Sequence, residues 1–135
     1  MSKYLDKAHQ ARERTDVHYN CAQGVLAAFA EELGMDEDTL FRVGANFGSG
    51  MRMGATCGAV TGALMVLGLA GAGDGPEALN LLRTVRGRHE GCLDCRDLLM
   101  KNKESGQPKK EHCDGMVYEL VELTEEVLRS RGVIS

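Results

Sequence analysis

The sequence predicts an all-α protein, one helical domain over residues 1–135 packed as a compact bundle around a buried Gly/Ala-rich central helix. Three observations carry that prediction. Apolar residues recur at helical spacing along most of the chain. Proline occurs only at positions 76 and 108. No two alternating apolar segments offer themselves as paired strands. Aromatic residues make up 4% of the chain and tryptophan is absent, so the core must be built from Ala, Leu, Val and Met. Such a core suits helices that approach closely.

The first helix is expected from about Lys3 to Val17, with Tyr4, Leu5, Ala8 and Ala11 on one face. A second runs from Cys21 to Leu33 and stops at Gly34, which carries Val25, Leu26, Ala28, Phe29 and Leu33 inward. A short third helix after Asp36 presents Leu40, Phe41 and Val43. The Gly-rich stretch from Phe47 to Gly54 then leads into an apolar helix from Gly58 to about Ala70, where Gly58 and Gly62 share a face and admit a neighbouring backbone. Asp74-Gly75-Pro76 opens a helix reaching His89, with Leu79, Leu82, Val85 and Arg86 along it. Gly91 interrupts it, and a short helix follows from Arg96 to Met100. Residues 101–112 read as a polar loop. The last helix, from Cys113 to about Arg131, aligns Met116, Val117, Leu120, Val121, Thr124, Val127 and Leu128. Its Glu119, Glu122, Glu125 and Glu126 read as a solvated face.

Composition excludes some functions. A net charge of -4 without a basic tract argues against nucleic-acid binding. Met53 to Gly73 holds no charged residue, but six glycines, two threonines and a cysteine weaken it as a membrane span. The charged N-terminal stretch lacks an apolar signal region, so a cytoplasmic location is expected. Cysteines there are commonly catalytic, redox-sensing or metal-binding, and an odd count of five does not make a fully paired framework.

The cysteines carry the chemistry. Cys21, Cys57 and Cys95 each follow a residue that favours the N-cap (Asn20, Thr56 and Asp94), and Cys113 stands at the expected start of the last helix. A cysteine in a first helical turn lies among free N–H donors, which favour the thiolate. Cys57 is the leading candidate: Gly54 permits a tight turn before it and Gly58 clears space beside it, although a small residue at a close helix crossing is the plain alternative. Cys92-x-x-Cys95 is a local dithiol motif or half a metal site, with Cys92 the accessory thiol. Arg52 is a candidate to stabilise a thiolate or an anion, and His18 and His112 are candidate bases or ligands. Met51 and Met53 are expected to pack.

The segments Asn20-Cys21-Ala22-Gln23, Phe47-Gly48-Ser49-Gly50-Met51 and Gly54-Ala55-Thr56-Cys57-Gly58-Ala59-Val60-Thr61-Gly62-Ala63 resemble the C_GCAxxG_C_C family. Cys95-Arg96-Asp97-Leu98-Leu99 is similar to its third cysteine with the following helix, and Cys113 to its fourth. The resemblance spans roughly residues 18–128 and leaves Cys92 outside the pattern. It implies a four-cysteine redox or cluster-binding role for Cys21, Cys57, Cys95 and Cys113, without a substrate or a named redox partner.

The favoured reading is thiol–disulfide exchange centred on Cys57. The alternative gives the same four cysteines to an iron–sulfur cluster that carries electrons. A further alternative is a zinc-stabilised or anion-binding module. The Gly58/Gly62 face and the Ala-rich second helix are also candidate homodimer contacts.

Overall fold

In the computed structural model, which describes residues 2–135, seven α-helices follow one another: α1 (Lys3–Glu13), α2 (Cys21–Phe29), α3 (Glu37–Val43), α4 (Gly58–Leu69), α5 (Glu77–Arg88), α6 (Cys95–Ser105) and α7 (Lys109–Ser130). The only strand-like pairing among the described residues is a single bridge between Thr56 and Asp94. No helix among them is long and apolar enough to cross a membrane.

The centre is a pair of helices. In α2 every residue from Ala22 to Phe29 is buried, and it packs against α1, α3, α4 and α7. Its most extensive partner is α4, whose Ala59, Val60, Ala63, Val66 and Leu67 are also buried. The expected close approach is real: a β-carbon on Gly62 would meet Ala22 O at 3.0 Å and Ala22 Cα at 3.1 Å. One on Gly58 would meet Phe47 O at 2.8 Å and Ala22 N at 3.1 Å. Glycine at both positions lets the two backbones touch. That face is therefore filled from within the chain, and it does not provide the homodimer surface suggested by its sequence.

The helix ends differ from expectation in instructive ways. α1 stops at Glu13, because Arg14 turns extended and pairs with Asp16, so that Tyr19 can enter the core. α2 ends at Phe29, and a turn carries the chain on to Gly34 at φ 65°. The polar stretch 101–112 is mostly helix, divided only by Gly106 at φ 81° and Pro108. Lys, Glu and Gln are good helix formers when one side faces water, so polarity alone misled the loop assignment. In consequence Cys113 is the fifth residue of α7, not its first.

Two packing assignments also change. In α5 the buried residues are Leu81 and Val85, while Leu79 is 59% exposed, and Val43 of α3 is likewise exposed. The glutamates of α7 are not one solvated face. Glu125 is buried and joins Ser2 Oγ at 2.6 Å and Arg129 Nη2 at 2.8 Å, and Glu119 meets His89 Nε2 at 2.8 Å.

Two substitutions in one helix separate close approach from helix propensity. Gly62→Ala pushes a methyl into the backbone of α2 and is expected to cost about 1–3 kcal/mol of overpacking, offset in part by about 1 kcal/mol of helix propensity. Gly68, with nothing within 4 Å of its would-be β-carbon, receives only the propensity gain. Thermal unfolding should therefore fall for Gly62→Ala and rise for Gly68→Ala.

Candidate functional site

Cys21, Cys57, Cys95 and Cys113 line one cavity of about 520 Å³, although they come from four helices and span most of the chain. The fold brings together the four thiols that the sequence singles out. Cys92 does not line this cavity; its amide bonds His89 O at 3.0 Å and its side chain packs against the core. The Cys92-x-x-Cys95 spacing thus divides between the core and the cavity wall.

Each cysteine is positioned by a different local device. Cys21 opens α2 because Asn20 and Gln23 form a capping box, the Gln23 amide donating to Asn20 Oδ1 at 2.8 Å and the Asn20 amide to Gln23 Oε1 at 2.8 Å. Gln23 Nε2 also donates to Phe41 O at 2.8 Å, which ties this cap to α3. Cys57 is itself the N-cap residue of α4, and Thr56 pairs with Asp94 instead of capping. Two bonds hold that crossing: the Cys57 amide to Leu93 O at 2.8 Å, and the Cys95 amide to Ala55 O at 2.6 Å. Cys95 opens α6, with Asp94 in the cap position but its side chain bonded to no helix amide.

The wall opposite these helices is an unusual turn. Ser49, Gly50, Met51 and Arg52 lie at φ 53°, 62°, 57° and 62° in succession, a left-handed turn closed by the Ala55 amide on Gly50 O at 2.9 Å. Gly50 is required there, since a β-carbon would sit 2.3 Å from Ala55 O and 2.8 Å from Cys95 Cβ. Gly54 follows at φ 72°. The turn sets Arg52, exposed, on the cavity rim, whereas Met53, expected to pack, is 69% exposed to solvent. Gly58 clears room for α2 and the Cys21 β-carbon.

The electrostatics reverse the expected order among the thiols. Cys57 is 5% exposed, and burial pushes its thiol up to about 11 although the Ala59 and Val60 amides favour the thiolate. Burial also raises Cys95. Cys21 and Cys113 titrate as a coupled pair on the cavity wall: their interaction holds Cys21, the more buried partner, above the ordinary thiol range and Cys113 below it. Burial opposes the lowering at Cys113, while Arg12 and Lys109 assist it. His112 also lines the cavity, where burial and then His89 lower its pKa; His18 lines it too and is exposed.

Arg12 is the important residue that sequence reasoning missed. Its side chain is 6% exposed, donates from Nε to Asp114 Oδ1 at 2.7 Å and from Nη1 to Tyr19 O at 2.7 Å, and borders the thiol pair. A β-carbon on Gly24 would lie 3.1 Å from Arg12 Cδ, so glycine in α2 leaves the path that Arg12 follows to α7. The available signal was its position four residues after Ala8, which puts a charge on an otherwise apolar face.

Among the described residues no three His, Cys, Asp or Glu side chains converge closely enough to share a metal ion, so the arrangement does not fit a mononuclear zinc centre.

Fold and cavity define a class: an all-α protein that gathers thiols from distant helices onto one pocket. The chain belongs to the C_GCAxxG_C_C family, whose model, described as "Putative redox-active protein (C_GCAxxG_C_C)", matches residues 19–127. No curated protein and no solved structure matches it.

The coupled pair makes a direct prediction. Peptide-resolved alkylation of Cys113 should show thiolate reactivity with a midpoint at about 6. In Cys21→Ala the coupled partner is gone, and the midpoint should move up toward the ordinary 9.0. An unchanged midpoint would show that Cys21 does not hold the proton.

Proposed function

We propose that the protein performs thiol–disulfide exchange, with Cys113 as the attacking thiolate and Cys21 as the resolving thiol. The observation that carries this reading is that Cys21 and Cys113 face one four-thiol cavity and titrate as a coupled pair, with the thiolate on the less buried partner. Membership of a redox-active family supports the general class. Cys57, expected to be the central nucleophile, becomes a wall residue in this assignment, because burial keeps it a thiol.

The exchange balances as two successive displacements. Cys113 Sγ attacks one sulfur of a disulfide, that S–S bond breaks, and the first thiolate leaves. The negative charge on Cys113, which kept Cys21 protonated, is then gone. The Cys21 proton passes to the departing thiolate, and Arg12 stabilises the charge that develops on Cys21. Cys21 Sγ attacks Cys113 Sγ, the mixed disulfide breaks, and the second thiolate leaves. The protein has lost two electrons and holds a Cys21–Cys113 disulfide, while the substrate has become two thiols. A dithiol reductant reverses the sequence.

A second reading draws on a separate observation, that all four thiols and not only two face the cavity. The four would then hold an iron–sulfur cluster, whose ligands bind separate irons and need not converge on one ion.

The test uses the reduced full chain with bis(2-hydroxyethyl) disulfide and mass mapping under non-reducing conditions. The unaltered protein should form a Cys21–Cys113 link, Cys21→Ser should stop at a mixed disulfide on Cys113, and Cys113→Ser should leave Cys21 reduced. Visible absorption with about two or four irons per chain after anaerobic purification would replace exchange with the cluster reading. Absence of both the link and the trapped mixed disulfide would overturn the exchange mechanism.

A further inference from the structure

The charges around the cavity are one-sided. Its lining contains Arg12, Arg52, Lys109, Lys110, His18 and His112, and no Asp or Glu among the described residues. This occurs in a chain whose net charge is -4, so it runs against the average surface. Asp114 accounts for two of the cations: it lies 2.7 Å from Arg12 Nε and 2.8 Å from Lys110 Nζ. Arg52 and Lys109 have no carboxylate within 4.0 Å among the described residues and are both exposed on the rim. The left-handed turn at residues 49–52 fixes the backbone that carries Arg52, and Lys109 is the first residue of α7, four before Cys113. Two uncompensated cations thus line the same cavity as the coupled thiols.

Size narrows the ligand further. A volume of about 520 Å³ lies within the range of small-molecule pockets, and Cys57 in its wall is buried while Cys21 is half-buried. A disulfide within an extended polypeptide would have to bring its flanking backbone past the Arg52 turn. A small disulfide with carboxylates at its ends would enter whole, with an anionic group for each free cation.

We infer that the cavity takes small anionic disulfides in preference to neutral, cationic or polypeptide disulfides, with Arg52 and Lys109 recognising the anionic groups. This rests on the exchange reading and names its substrate class. The chemistry is the exchange already written: the anionic disulfide accepts two electrons and leaves as two thiols, and the protein retains the Cys21–Cys113 disulfide.

The test compares three small probes as oxidants of the reduced full chain: dithiodiglycolate with two carboxylates, bis(2-hydroxyethyl) disulfide with none, and cystamine with two ammonium groups. A disulfide-linked unfolded polypeptide is the fourth. Each rate is divided by that of free 2-mercaptoethanol with the same probe, which removes differences in leaving-group reactivity. At low ionic strength the normalised rate for dithiodiglycolate should exceed that of the neutral probe by about tenfold or more, with cystamine slowest. The ratio should shrink in high salt, where fields are screened within a few ångströms. It should also shrink severalfold in Arg52→Gln; Arg52 is not among the groups that lower Cys113, so the ratio reports recognition and not nucleophilicity. Normalised rates independent of probe charge and of salt would overturn the inference, as would faster oxidation by the polypeptide. Failure of every oxidant to form the Cys21–Cys113 link is the distinct result that overturns the exchange reading and this inference with it.

Discussion

The rest of the structure depends on the contact between α2 and α4 at Gly58 and Gly62. Two helices can touch backbone to backbone only where side chains are missing from both sides of the seam, and here glycines face Ala22. The contact fixes more than a core. Gly58 directly follows Cys57, and Ala22 directly follows Cys21, so the pairing that brings the helices together also brings the two cysteines to the same end of them. The Asn20–Gln23 capping box and the bonds from Cys57 and Cys95 to the 93–55 crossing keep that end from fraying. Arg12 then draws in α7 by reaching past Gly24 to Asp114, one residue from Cys113. The thiols converge because each is one residue from a contact that holds the bundle.

The fold was legible in the sequence for the same reason. Glycines four apart in an apolar segment, an Asn-Cys-Ala-Gln start and regular apolar spacing are local signals with direct structural meaning, and they located α2, α4 and α7 and the four cysteines worth watching. The parts that were not legible depend on distance. That residues 101–112 would be helix, and Cys113 therefore a mid-turn residue, follows from the need of α6 and α7 to pack on each other, which polarity does not report. Arg12 read as one charge among several in a polar helix end, because its meaning lies in Asp114, a hundred residues away. Glu125 similarly reads as solvent-facing until Ser2 and Arg129 are placed beside it.

The order of thiol acidities shows which physical effect prevails. A helix N-terminus contributes about 0.3–1 kcal/mol to a nearby charge, less than one pKa unit, whereas full burial can shift a group by 3–5 units. Cys57 has the better helix position and is nearly sealed from water, so burial prevails and it remains a thiol. Cys113 has no free helix end but has the Cys21 thiol, a guanidinium and an ammonium around it, and is only half-buried. Close interaction with a neighbouring thiol and two cations overcomes a moderate desolvation cost where the diffuse field of a helix end does not overcome a large one. Counting N-caps ranks the cysteines by the smaller effect.

The turn at residues 49–52 bears on the same question from the backbone. A left-handed conformation costs an L-residue with a side chain roughly 1–2 kcal/mol, and Ser49, Met51 and Arg52 all adopt it. Glycine at any of the three would relieve that strain, and the neighbouring Gly50 shows that the segment accommodates glycine. Strain of this kind persists only where the surroundings fix the chain, and here the Ala55–Gly50, Cys95–Ala55 and Cys57–Leu93 bonds do so. Those bonds run through the residues that bear two of the four thiols. The strained turn and the cavity wall are thus one unit, so the position of the Arg52 backbone follows from the geometry that positions Cys57 and Cys95. The backbone from which Arg52 extends is therefore a fixed part of the cavity mouth, so the reach of its exposed side chain starts from a point set by the same bonds that hold Cys57 and Cys95.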